Sequence, residues 1–176
     1  MRHREENIIL IGFMGSGKTT FGRWISKNKN YQFCDTDQYI EEQKNRTIKD
    51  IFANQGEEAF RDMETAALKE LCDRLKNTVV SVGGGLPVRE ENRKLLKQLG
   101  MVVYLRAAED ELVKRLSHDT SRPLLAGGDL KSKIQNLMSA REALYIDAAD
   151  VVIDTDHMSF EEMYDVISKA SEEIRQ

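Results

Sequence analysis

The chain has 176 residues, of which 26 are Lys or Arg and 30 are Asp or Glu, for a formal net charge of -4. That length fits one compact domain with a core of its own, and the slight acidity, with no basic stripe, argues against nucleic acid as a partner. Cys34 and Cys72 are far apart, and His3, His118 and His157 are scattered, so neither a disulfide framework nor a zinc site is indicated.

Met1-Arg-His-Arg followed by apolar residues up to Met14 imitates a signal peptide. Glu5 and Glu6 interrupt it and no small-residue cleavage site follows, so the expectation is a cytoplasmic protein. No apolar run reaches membrane-spanning length. Ile8 to Ile11 reads as a strand and runs directly into Gly12-Phe-Met-Gly-Ser-Gly-Lys-Thr19, which fits the spacing G-x4-G-K-[ST] of a phosphate-binding loop between strand and helix. Glycines let successive backbone N–H groups face phosphate oxygens, and the following helix points its positive end at the same charge. The expected nucleotide-side residues are Gly15, Gly17, Lys18, Thr19 and Thr20, with Lys18 reaching the β- and γ-phosphates and Thr19 ligating Mg²⁺.

Thr20 to Asn28 continues as a helix, with Phe21, Trp24 and Ile25 in the core. Tyr31 to Cys34 reads as a second strand ending in Asp35-Thr-Asp37, and strand periodicity sends both carboxylates to the side of the phosphate loop. Gln38 to Leu75 is mostly helical, with Thr47 as an N-cap and a break at Gly56. Residues 38–63 are expected to be an insertion over the sheet's carboxyl edge that supplies a substrate pocket. Val79 to Val82 is a buried strand that stops at Gly83-Gly84-Gly85, a bare backbone suited to close approach by a ligand. Glu90 to Leu99 is a helix capped by Gly100, Met101 to Leu105 a fourth strand, and Ala108 to Leu116 a helix carrying Lys114 and Arg115. Residues 117–129 are polar, hold Pro123 and the Gly127-Gly128 pair, and are read as a mobile lid. Leu130 to Tyr145 is helical, Asp150 to Ile153 a fifth strand, and Ser159 caps a last helix to about Glu173. The expectation is an α/β fold in one domain, 1–176: a doubly wound, five-stranded parallel sheet of P-loop NTPase type, flanked by helices, with a helical substrate-binding insertion and a mobile lid.

Phosphoryl transfer needs a metal, donors around the moving group, an oriented acceptor hydroxyl and exclusion of water. Asp35 and Ser81 are placed to join Thr19 around Mg²⁺, and Asp37 to orient or deprotonate the acceptor. Each residue also has a plainer reading. Asp37 fits a helix N-cap, Arg61 with Glu64 a solvated ion pair, Arg141 with Tyr145 a helix surface, and Arg122 either a loop charge or an arginine finger supplied in cis.

Taken in order, Gly12 to Thr19, Asp35-Thr36-Asp37, Gly56-Glu57, Phe60-Arg61, Glu64, Gly83 to Gly85, Arg122-Pro-Leu-Leu125 and Arg141 with Tyr145 make the chain resemble the shikimate kinase family from Ile8 to the fifth strand. The resemblance implies ATP-dependent phosphorylation of the 3-hydroxyl of shikimate by a monomer. It implies catalytic roles for Lys18, Asp37 and Arg122, and Mg²⁺ held by Thr19, Asp35 and Ser81. Asp37, Arg61, Gly83, Gly84, Gly85 and Arg141 would bind the acceptor, the two arginines at its carboxylate and a glycine N–H beside it. Arg115 would pack against adenine and Arg122 descend with the lid. The family lacks a Walker-B aspartate, as does Val79-Val-Ser-Val82. Two departures, Asn45-Arg46-Thr47 and Thr155-Asp156, concern the insertion's turn and the adenine contacts. Rival readings are another small-molecule kinase with a different acceptor, a nucleotide switch of GTPase type, and a silent nucleotide-binding module. The switch is disfavoured by Asn28-Lys-Asn-Tyr31, which lacks the aspartate of a guanine motif.

Overall fold

A computed structural model describes residues 7–119 and 121–176. The leader-like residues Met1 to Glu6 and Thr120 of the expected lid lie outside the described residues. Five strands, β1 (Ile8–Ile11), β2 (Gln32–Asp35), β3 (Thr78–Ser81), β4 (Met101–Arg106) and β5 (Val151–Asp154), form one parallel sheet in the order β2-β3-β1-β4-β5. β1, β3 and all of β4 but Arg106 are buried along their length, β1 with four apolar residues and β3 with Val79 and Val80 between Thr78 and Ser81, as expected of strands covered by crossover helices. The chain leaves β1 toward one edge and later returns past it to β4. The carboxyl end of β1 is therefore the switch point at which open α/β sheets hold ligands.

The helices are α1 (Lys18–Lys29), α2 (Thr36–Lys44), α3 (Ile48–Arg74), α4 (Glu90–Leu99), α5 (Glu109–Leu116), α6 (Leu130–Ala148) and α7 (Phe160–Arg175). Thr47 caps α3 through the Asp50 N–H, and Ser159 with Glu162 forms a reciprocal capping box on α7. Two apolar layers cover the sheet. One joins Ile9, Ile11, Leu68, Leu96 and Tyr145, the other Leu10, Phe21, Ile25, Val103 and Ile167. No helix among the described residues is long and apolar enough to cross a membrane.

Several boundaries differ from the sequence reading. β2 and β3 each sit one residue away from the expected span, so Tyr31 and Val82 flank the strands and Asp35 and Thr78 join them. The strand ends at Asp35, so alternation along it does not align residues 35 and 37. Asp35 caps α2 by accepting from the Gln38 N–H, and Asp37 lies in the helix's first turn. The cap anticipated at Asp37 is thus filled by Asp35. Trp24 is only partly buried, stacked with Phe21 and with Lys29 over its ring. Residue 63 is no element end, because α3 runs on to Arg74, although its backbone breaks at Gly56 (φ 83°, ψ 173°). The 117–129 segment includes a short 3-10 turn, Pro123–Leu125.

Candidate active site

At the carboxyl ends of β1, β2 and β3 lies a cleft of about 1010 Å³, lined by the phosphate loop, Asp35, Asp37, Ser81, Gly83, Gly84, Arg115 and Arg122, among others. The loop owes its shape to Gly12, Gly15 and Gly17, all at positive φ. A Cβ at Gly12 would meet the Leu105 carbonyl oxygen at 2.5 Å, so only glycine fits there. Lys18 folds over the loop and donates to the carbonyls of Gly12 and Phe13 at 2.8 and 2.9 Å. Burial pulls its pKa down to about 8, with Asp37 acting in the opposite sense. Behind it, the Thr19 hydroxyl donates to Asp35 at 3.0 Å and stands 3.3 Å from the Ser81 hydroxyl. Two hydroxyls and a carboxylate from α1, β2 and β3 therefore converge, a hard-oxygen donor set of the kind Mg²⁺ takes when phosphates and water complete its shell. Among the described residues, no three His, Cys, Asp or Glu side chains gather as a metal cluster.

Three charged groups beside this cluster are buried and short of partners among the described residues: Asp37 at Oδ1, Glu64 at Oε2 and Arg141 at Nη1. They surround the triple glycine. A Cβ on Gly83 would sit 2.7 Å from the Asp37 oxygen and 3.0 Å from that of Glu64, and one on Gly84 would lie 3.5 Å from the Arg141 nitrogen. Buried charge left unpaired is costly, so such a group of atoms marks a place where a ligand completes the bonding. Burial, then the charge of Asp35, holds the Asp37 carboxyl above the usual carboxylate range, against Lys18 and Arg122. Arg61, 8 % exposed, donates to Glu64 at 2.5 Å and to Glu57 at 3.1 Å. Arg141 lies over the Phe13 ring, 5.8 Å from its centre, and the Tyr145 hydroxyl donates to the Gly84 carbonyl at 2.5 Å.

A family model described as shikimate kinase matches residues 14–172. A shikimate kinase of Cupriavidus pinatubonensis is 42% identical over 161 residues, covering 92% of this chain and 83% of that protein. One from Thermodesulfovibrio yellowstonii is 39% identical over 169 residues, covering 96% of each. The solved shikimate kinase of Acinetobacter baumannii in complex with shikimate superposes with a TM-score of 0.87 at 37% identity, over 93% of this chain and 91% of the other. The chain belongs to the shikimate kinase family. It is a small-molecule kinase with the P-loop NTPase-type fold of its relatives.

In this shikimate kinase fold the expected site residues Gly15, Gly17, Lys18, Thr19, Thr20, Asp35, Asp37, Ser81, Arg115 and Arg122 line one cleft with Gly83 and Gly84. Arg61, Gly85 and Arg141 do not line that cleft. A Cβ on Gly85 would strike the Arg61 guanidinium, so Gly85 and Arg61 are in direct apposition. Arg115 donates to the Gly15 carbonyl at 2.9 Å and to Glu111 at 3.1 Å, an anchor on the loop itself. The expected glycine N–H toward the acceptor is not that of Gly83, which donates to the Thr36 hydroxyl at 3.1 Å. Sequence reasoning missed three features: the Thr36 bond, the complete burial of Glu64, and the second carboxylate on Arg61. Thr36 follows Asp35 in the quoted motif, and Glu57 follows Gly56, so both stood in plain view without a signal of their contacts. Tyr145, read with Arg141 as an i, i+4 pair, bonds the glycine turn instead of solvent.

Proposed function

We propose that the protein transfers the γ-phosphoryl group of ATP to the 3-hydroxyl of shikimate, giving shikimate 3-phosphate and ADP. The observation that carries this reading is the set of unpartnered buried atoms on Asp37, Glu64 and Arg141 around a side-chain-free turn, next to a complete phosphate loop. An acid bearing several hydroxyls satisfies such a set, and the shikimate named with the Acinetobacter structure is one.

The residues divide the work by position. The loop's N–H groups and Lys18 hold the β- and γ-phosphates and spread their charge. Thr19, Asp35 and Ser81 would hold Mg²⁺, which would supply positive charge against the negative charge developing on the leaving group. Asp37 accepts the hydroxyl proton as the new O–P bond forms and the bond to the leaving ADP oxygen breaks. Its raised pKa suits a base that must hold that proton. Arg141 and Arg61 fix the acceptor's carboxylate through planar guanidinium forks, and Arg115 flanks the nucleotide. Residues 38–63 form the acid-binding insertion and 117–129 a lid that brings Arg122 onto the phosphates. The same reading takes the enzyme as a monomer working in the cytoplasm.

The test is ADP release in a coupled assay with Mg-ATP and a panel of acceptors. Shikimate should be turned over, and gluconate and nucleoside monophosphates should not. No shikimate-dependent ADP above the ATPase background would sink the acceptor assignment.

A further inference from the structure

Arg61 is engaged on both of its amino groups. Nη1 donates to Glu64 at 2.5 Å and Nη2 to Glu57 at 3.1 Å, while the guanidinium lies against Gly85. The two carboxylates differ in kind. The Glu64 side chain is 0% exposed and is fixed in the core, whereas that of Glu57 is 50% exposed. An ion pair with a half-solvated partner is weak, because water competes for the carboxylate. Glu57 is also the first residue after Gly56, whose φ of 83° and ψ of 173° break α3. It therefore stands at a joint between two helical segments.

A carboxylate ligand that takes an arginine by two points needs two neighbouring N–H groups. Glu64 cannot leave Nη1 without burying an unpaired charge, which is costly. The Nη2 edge can be released at small cost, because Glu57 regains water. We propose that Glu57 is an internal substitute for the acceptor's carboxylate: it neutralises Arg61 in the free protein and is exchanged for the ligand's carboxylate when the acid binds. This inference rests on the acceptor reading above. Affinity for the acid is then a difference between two ion pairs on one guanidinium. A neutral polyol, which offers no replacement anion, leaves the Glu57–Arg61 pair intact.

The experiment compares the unsubstituted protein with Glu57→Gln and Glu57→Ala in steady-state kinetics with shikimate and ATP. Removing the competing charge should lower the acceptor KM about two- to fivefold, the span expected for a partly exposed pair, and leave the KM for ATP unmoved. Alanine, which also removes the hydrogen bond, should lower it at least as far as glutamine. A structural disturbance would raise the KM instead. An acceptor KM that is unchanged or raised in both variants overturns the exchange while leaving the acceptor assignment standing. No shikimate turnover by the unsubstituted protein removes the acceptor assignment and the exchange together.

Discussion

Glu64 shows how much of the acid-binding half depends on one side chain. One oxygen receives Arg61 and the other is buried without a partner among the described residues, facing Gly83 across from Asp37. Burial raises its pKa to about 7 despite the attraction of Arg61, with Asp37 adding to the rise and Arg141 opposing it. Between the ordinary carboxyl value of 4.5 and about 7, the folded chain holds a proton that the unfolded chain has released, so stability declines as pH climbs through that window. Binding has its own sign. On the proposed reading, a ligand carboxylate near Arg61 and Arg141 would raise the Glu64 pKa further, so above about pH 7 the acid would bind with proton uptake and its affinity would fall as pH rises. Calorimetric titration of shikimate at about pH 8, in two buffers of different ionisation enthalpy, should show fractional uptake that disappears in Glu64→Gln. Zero uptake by the unsubstituted protein would refute the assignment.

At the scale of elements, the glycine turn after β3 acts as a spacer that sets how near α3 and α6 come to the sheet's edge. A Cβ at Gly85 would occupy the place of the Arg61 guanidinium, and that group cannot swing aside freely because the buried Glu64 holds it. Gly85→Ala should therefore raise the acceptor KM by about tenfold or more, the cost of one displaced charge-assisted contact. The KM for ATP should stay within about twofold, because Gly85 does not line the phosphate cleft. An acceptor KM unaltered by the methyl group would show that Arg61 is not a carboxylate ligand. The phosphate half of the site was legible in the sequence because local rules govern it: strand, glycine turn, helix and a fixed lysine spacing. The acid half was only partly so. A helical Arg61 with Glu64 three residues on has the pattern of a solvated pair. What buries it is the packing of α3 behind Gly85, a long-range event that no local spacing encodes. The one-residue slips in β2 and β3 have the same origin. Val82 is as apolar as a strand residue, yet the ladder stops at Ser81 and Asp35, which pair with each other.

Across the whole molecule, the cleft opens where the chain crosses from β3 past β1 to β4, so residues far apart in sequence face one another over it. Arg122 comes from the segment after α5 and lines the same cleft as Lys18 and Asp37. Its side chain is 39% exposed and donates to Asp119 at 3.2 Å, a weak tether within its own loop. At the far end of that segment Gly127 and Gly128 both hold positive φ, 70° and 78°, and a Cβ on Gly127 would touch nothing within 4 Å. Their glycine-only conformation thus answers to backbone geometry and not to packing. A segment with a weak tether at one end and two permissive residues at the other can exchange Asp119 for phosphate at little cost. If it does, Arg122→Ala should lower kcat by about a thousandfold, the low end for an arginine finger, with shikimate affinity in the absence of nucleotide little altered. Hydrogen exchange over residues 121–129 should slow when a non-hydrolysable ATP analogue binds. A kcat loss of less than about tenfold would place Arg122 outside the transition-state shell. Unaltered exchange would mean that the segment does not close, and the cleft would then need another means of excluding water from the transferred group.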